Sequence, residues 1–75
     1  MNASLNDLAL GEQGTIADIT APRALARRLL EMGLTAGTRL QVIRQAPLGD
    51  PIEIRIRGYH LTLRRAEACT VLLEA

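Results

Sequence analysis

The sequence predicts a mainly β protein with one short α-helix, folded as a small closed or nearly closed barrel. Three observations lead there. Ile52, Ile54, Ile56, Leu61 and Leu63 alternate with Glu53, Arg55, Arg57, Thr62 and Arg64, the period of half-buried strands. Helical spacing occurs once, where Leu25, Leu29 and Met32 recur at i, i+4 and i+7. The chain of 75 residues is 48% hydrophobic, yet has one Tyr and neither Phe nor Trp, so its core must be aliphatic. Five short strands around such a core lose their exposed edges best by closing on themselves. This length holds one domain, taken as residues 1–75.

In chain order, residues 1–4 read as a loose end, and Leu5 and Leu8 as two leucines of a short turn plugging one end of the core. Gly11 and Gly14 punctuate the approach to a first strand over 15–19. Thr20 or Ala21 is expected to cap the helix, with Pro22 in its first turn, where a missing N–H costs nothing. The helix runs to about Met32. Gly33 then takes the position at which helices end with positive φ, making Leu34 and Leu29 the pair that meets when a Schellman cap closes. Ala36 and Gly37 suit the centre of a type II turn, whose second central residue needs positive φ. A second strand covers 39–45. Two prolines and a glycine within 46–51 make that stretch a loop.

The alternating segment predicts a hairpin. With Gly58 and Tyr59 as a two-residue type II′ turn, Ile56 would pair with Leu61 and Ile54 with Leu63 inside. Outside, Arg55 would face Thr62 and Glu53 would pair with Arg64. A helical turn over 65–68 and a closing strand over 70–73 complete the chain.

Composition narrows function. No apolar run approaches the ~18 residues of a membrane span, and the N-terminus lacks the charged, apolar and small-residue regions of a signal peptide. With a single cysteine, Cys69, a cytoplasmic protein is expected. Cys69 reads as a small buried hydrophobe. The nine basic residues are all Arg and the net charge is +1, without the block of like charge that marks a nucleic-acid tail. One His and one Cys do not make a ligand set for a soft or borderline metal, which wants several converging N or S donors; His60 reads as a solvated turn residue, and neither metal nor cofactor is expected. No Ser, His and Asp offer a nucleophile, base and orienter, and no phosphate-cradling Gly-x-x-x-x-Gly-Lys loop occurs. Asp18, Glu31, Asp50 and Glu53 read as solvated carboxylates. An enzyme is therefore not expected. A small nucleic-acid-binding barrel is the alternative, with charge from Arg39, Arg44, Arg55, Arg57, Arg64 and Arg65 but stacking from Tyr59 alone.

The segment from Arg28 to Leu34 with Gly37, the loop from Ala46 to Ile52, then Gly58, 61–64 and Glu67-Ala68 together resemble the ferrous-iron transport protein A family (FeoA). The resemblance runs from Leu5 to about Leu73. Two departures, Ala36 and Leu10 where the family often has Pro, bear on turn rigidity more than chemistry. The resemblance implies an SH3-like barrel and a partner, the large ferrous-iron permease (ferrous-iron transport protein B) with its cytoplasmic GTP-binding domain. No nucleic acid is expected, and a homo-oligomer is compatible. A similar barrel forms the C-terminal domain of iron-dependent repressors, whose DNA-binding helices are absent from this chain.

For such an interaction module the candidate contacts are Leu48, Leu30, Pro47 and Asp50, with Gly33, Gly37 and Gly58 as structural glycines. Leu48, between Pro47 and Gly49, either folds back to lid the barrel, the more ordinary outcome, or is held out for binding. Leu30, about 100° around the helix from Leu29, is either the flank of the core face or partly exposed.

Overall fold

The computed structural model describes residues 3–74. Five antiparallel strands, β1 (Gln13–Ile19), β2 (Arg39–Gln45), β3 (Ile52–Ile56), β4 (Tyr59–Leu63) and β5 (Val71–Leu73), form one sheet in the order β4-β3-β2-β1-β5. A helix α1 (Arg23–Glu31) joins β1 to β2, and a short helix α2 (Arg65–Ala68) joins β4 to β5. Bulges at Ala17 in β1 and Ile43 in β2 shift the register and bend both strands. The bent sheet wraps one aliphatic core, while the ladder stays open between β4 and β5. Leu29, Leu34, Leu40, Val42, Ile52, Ile54, Ile56, Leu63, Val71 and Leu73 are all buried there, so the alternation in the sequence does mark the inner face.

The open edge is covered from the N-terminus. Ser4 bridges Leu72 and Ala3 accepts from the Leu73 N–H at 2.7 Å, so these two residues, expected to be loose, are tied to β5. The rest of that expected loose end, Met1 and Asn2, lies outside the described residues. Ser4 and Asp7 cap a 3-10 turn over Leu5–Asp7 reciprocally, through Asn6 N–H to Ser4 Oγ at 3.2 Å and Ser4 N–H to Asp7 Oδ2 at 2.8 Å. That turn drives Leu5 into the core with Leu8 packed beside it, as the sequence predicts.

The helix-to-strand connection also forms as expected. Leu34 N–H donates to Leu29 C=O and Gly33 N–H to Leu30 C=O, both at 3.0 Å, with Gly33 at φ +98°. These are the two bonds of a Schellman cap. Thr38 N–H then donates to Thr35 C=O at 3.1 Å around Gly37, at φ +88°. The helix start differs by a residue: Pro22 is the N-cap and makes no side-chain cap bond. Thr20 is engaged elsewhere, its N–H and hydroxyl both donating to the Thr70 carbonyl (2.8 and 3.3 Å), which prolongs the β1–β5 pairing.

The hairpin register differs too. Ile56 pairs with Tyr59, Ile54 with Leu61 and Ile52 with Leu63, two residues from the expected alignment. The turn residues are Arg57 (φ +49°) and Gly58 (φ +85°). Positive φ at both central positions is type I′, whose twist matches that of the flanking strands. Arg55 therefore opposes His60, and Glu53 opposes Thr62. The expected Glu53–Arg64 pair is replaced by Glu53 with His60 (3.3 Å) and Arg44 (3.9 Å).

Candidate functional site

The β2–β3 loop is a tied structure. Gly49 N–H donates to Ala46 C=O at 2.7 Å, closing a turn with Pro47 and Leu48 at its centre, and Ala46 N–H donates to Pro51 C=O at 3.1 Å across the base. Pro47 supplies the fixed φ that the first central position favours. From outside the loop, the Asp50 carboxylate accepts the Arg65 N–H at 3.1 Å, holding the loop against the start of α2. Leu48 stands at the tip with 93% of its surface exposed. The fold-back expectation is thus overturned, because the turn and the Asp50 clamp direct the peptide outward. The adjoining end of the core is already filled by Leu5 and Ala68, both fully buried. Asp50 is a clamp of the loop, and Arg65 is the charged neighbour beside it: a Cβ on Gly49 would lie 3.3 Å from Arg65 Nη1.

Leu30 is 49% exposed, the partly exposed of its two readings. The Arg28 flank of α1 faces α2, where Arg28 ion-pairs with Glu67. At 100° per residue, Arg28 and Leu30 lie on opposite flanks of the buried Leu29. Leu30 therefore projects away from the side of the helix that leads to Leu48, and the two leucines belong to different parts of the surface. Leu10, at the tip of the turn closed by Glu12 N–H to Ala9 C=O (3.0 Å), is a further exposed leucine at 64%. No local signal in the sequence separates it from the core leucines.

The titratable groups are dispersed. Among the described residues no three His, Cys, Asp or Glu side chains come together to hold a metal. Asp18 accepts the Ile19 N–H at 2.8 Å, Glu31 faces Arg27 at 3.9 Å, Asp50 holds Arg65, and Glu53 faces His60 and Arg44. Each carboxylate has a different neighbour, and none of these contacts joins two of them. Cys69 is exposed at the C-cap of α2 rather than buried; it closes the helical turn, its thiol donating to the Ala66 carbonyl at 3.1 Å, and β5 starts two residues later at Val71. The basic residues thought able to serve a nucleic acid also separate. Arg44 faces Glu53, Arg64 and Arg65 flank α2, and Arg39, Arg55 and Arg57 gather at the opposite end of β2 and β3. Tyr59 opens β4 and donates its hydroxyl hydrogen bond to the Met32 carbonyl at the end of α1, a tertiary role that nothing local in the sequence signals.

A bent five-stranded sheet around an aliphatic core, presenting side chains on rim loops, defines an SH3-like barrel domain. The FeoA domain model matches residues 3–75, and the chain belongs to the FeoA family. It is 36% identical over 70 residues to an Fe(2+) transport protein A/Fe(2+) transporter FeoB fusion protein of Porphyromonas gingivalis, a match spanning 93% of this chain and 8% of that relative's length. It is 41% identical to the FeoA protein of Chlorobium tepidum, with a TM-score of 0.88 over 95% of this chain and 68% of that one. FeoA of Stenotrophomonas maltophilia, solved with zinc, is 27% identical with a TM-score of 0.83 over 99% of this chain and 89% of that one. That protein is described as a prokaryotic SH3 domain protein and a candidate ferrous-iron transport activating factor.

Proposed function

We propose that this chain is a non-enzymatic interaction module of bacterial ferrous-iron uptake. It docks on the cytoplasmic GTP-binding domain of the ferrous-iron permease and assembles or regulates that permease. The observation that carries the reading is the relative in which the corresponding segment is fused to FeoB in one polypeptide. Fusion holds two partners at high effective concentration. The Leu48 loop supplies the contact. Its bonds and two prolines fix it before any partner arrives, so binding orders little, and burying one exposed leucine in an apolar pocket contributes roughly 1.5–3 kcal/mol. Pro47 shapes the tip, Asp50 holds it against α2, and Arg65 borders it. No helix among the described residues is long and apolar enough to cross a membrane, in keeping with a partner docking from the cytoplasm.

The test is calorimetric titration against the purified GTP-binding domain, with and without nucleotide, for the parent protein and Leu48→Ala. The variant should bind about tenfold or more weakly while its unfolding free energy stays within roughly 0.5 kcal/mol of the parent's, as expected for a surface position. Unchanged affinity in Leu48→Ala would move the interface elsewhere. No binding by the parent in any nucleotide state would end the proposal.

A further inference from the structure

The three arginines at the far end of the β2–β3 pair form a site of their own. A groove of about 480 Å³ is lined by the start of β2 and the hairpin turn, including Thr38, Arg39, Gln41, Arg55, Arg57 and Gly58, with no Asp or Glu in its wall. Arg27, Arg28 and Arg44 each have a carboxylate neighbour, whereas Arg39, Arg55 and Arg57 form no ion pair among the described residues. Two of these guanidiniums are positioned by neutral acceptors. Gln41 donates through Nε2 to the Gly11 carbonyl at 3.0 Å and accepts from Arg55 Nη2 through Oε1 at 2.7 Å. Thr38, 5% exposed, accepts from Arg57 Nη2 at 3.1 Å, and its hydroxyl is hydrogen-bonded to that of Thr35 at 2.8 Å. A guanidinium has five donors, so each retains most of its capacity for a ligand.

We infer that this groove binds a condensed phosphate, either free or as the phosphate chain of a nucleotide. Like positive charges are held together in a concavity with no Asp or Glu among its described lining residues, so an anion relieves their repulsion. A lone carboxylate would match one guanidinium of three. Linked phosphoryl groups bring several negative charges, with paired oxygens that arginine takes bidentately. The volume falls in the range of small-molecule sites and exceeds what one phosphate fills. An extended peptide is poorly served, because β2 and β3 are interior strands whose backbone groups are already paired and offer no edge for strand addition. The groove lies at the opposite end of β2 from the Leu48 loop, so it stands independently of the permease reading.

The experiment is an amide NMR titration of the full chain with pyrophosphate, inorganic phosphate, ATP and GTP at physiological salt. Arg55→Gln, Arg57→Gln and the control Arg44→Gln are titrated alongside. Arg39 also borders a recess containing Glu74, so the informative substitutions are at the other two. The groove residues should shift saturably with pyrophosphate and more weakly with inorganic phosphate. Arg55→Gln and Arg57→Gln should each weaken binding about tenfold, with Arg44→Gln nearly unchanged and all three spectra as dispersed as the parent's. Nucleotides binding no better than pyrophosphate would identify the free condensed phosphate as the ligand, and tighter nucleotide binding at the same arginines would identify the nucleotide. Shifts centred elsewhere, equal loss in Arg44→Gln, nucleotide binding without pyrophosphate binding, or no saturation would overturn the inference. So would an RNA oligonucleotide that occupies the same arginines far more tightly than pyrophosphate.

Discussion

Replacing Gly33 with alanine strikes the junction on which helix, turn and hairpin converge. Two costs are separable. At φ +98° a Cβ is unfavourable by about 1–2 kcal/mol. In addition, a Cβ on this residue would fall well inside van der Waals contact of the Tyr59 hydroxyl oxygen, the group that donates to the Met32 carbonyl. Displacing the ring breaks that bond, worth about 0.5–1.5 kcal/mol net. The expected total for Gly33→Ala is about 2–3 kcal/mol, or a fall of roughly 10–20 °C in melting temperature for a domain of this size. A double-mutant cycle with Tyr59→Phe resolves the parts: without the hydroxyl, Gly33→Ala should cost only the backbone share, leaving a coupling of about 1 kcal/mol. Urea denaturation of the four proteins measures it. Equal costs in the two backgrounds would refute the Tyr59 contact, and a cost below about 0.5 kcal/mol would refute the left-handed cap itself.

Glu67→Ala should destabilise by about 1–2 kcal/mol in the same assay, because its carboxylate accepts the Arg64 N–H at the start of α2 (3.0 Å) as well as pairing with Arg28. Arg28→Ala should cost less, since its side chain is 60% exposed and solvent screens the pair. Calorimetric titration with ferrous iron should give only weak binding of the kind scattered carboxylates provide. A stoichiometric micromolar site lost in His60→Ala would contradict the dispersed placement of the titratable groups.

How far the sequence reveals this molecule depends on the range of the interactions involved. The helix end is legible because its bonds close within six residues and demand glycine at one of them. The inner face is legible because Ile52, Ile54, Ile56 and Leu63 follow the pleat. The hairpin register is not legible from the pattern, because a two-residue slip leaves every side chain on its original face and alternation cannot distinguish the alignments. What decides is the preference for a type I′ turn at Arg57 and Gly58. The Ile43 bulge had a trace in the sequence, since Val42-Ile43 interrupts the alternation of β2. Leu48 is marked out by Pro47 and Gly49 on either side, but the choice between its two outcomes depends on Asp50 reaching α2; the Tyr59 bond and the arginine groove had no trace, because they depend on the hairpin meeting the helix end and on the start of β2 meeting the end of β3.

The same topology accounts for where the candidate sites lie. A chain of this size spends its few large side chains on a single core and has no interior left to shape a deep pocket. β2 and β3, flanked by strands on both sides, offer no free backbone along their length. What remains for recognition is at the ends of the pair, separated by roughly 20 Å of strand. One end carries an aliphatic side chain on a loop tied by hydrogen bonds; the other carries three arginines around a groove, two of them oriented by Gln41 and Thr38. The apolar end suits a protein surface and the cationic end an anion. At this separation, with no residue shared, a substitution at one end should leave the affinity of the other unchanged, so the two surfaces are distinct in chemistry as well as position.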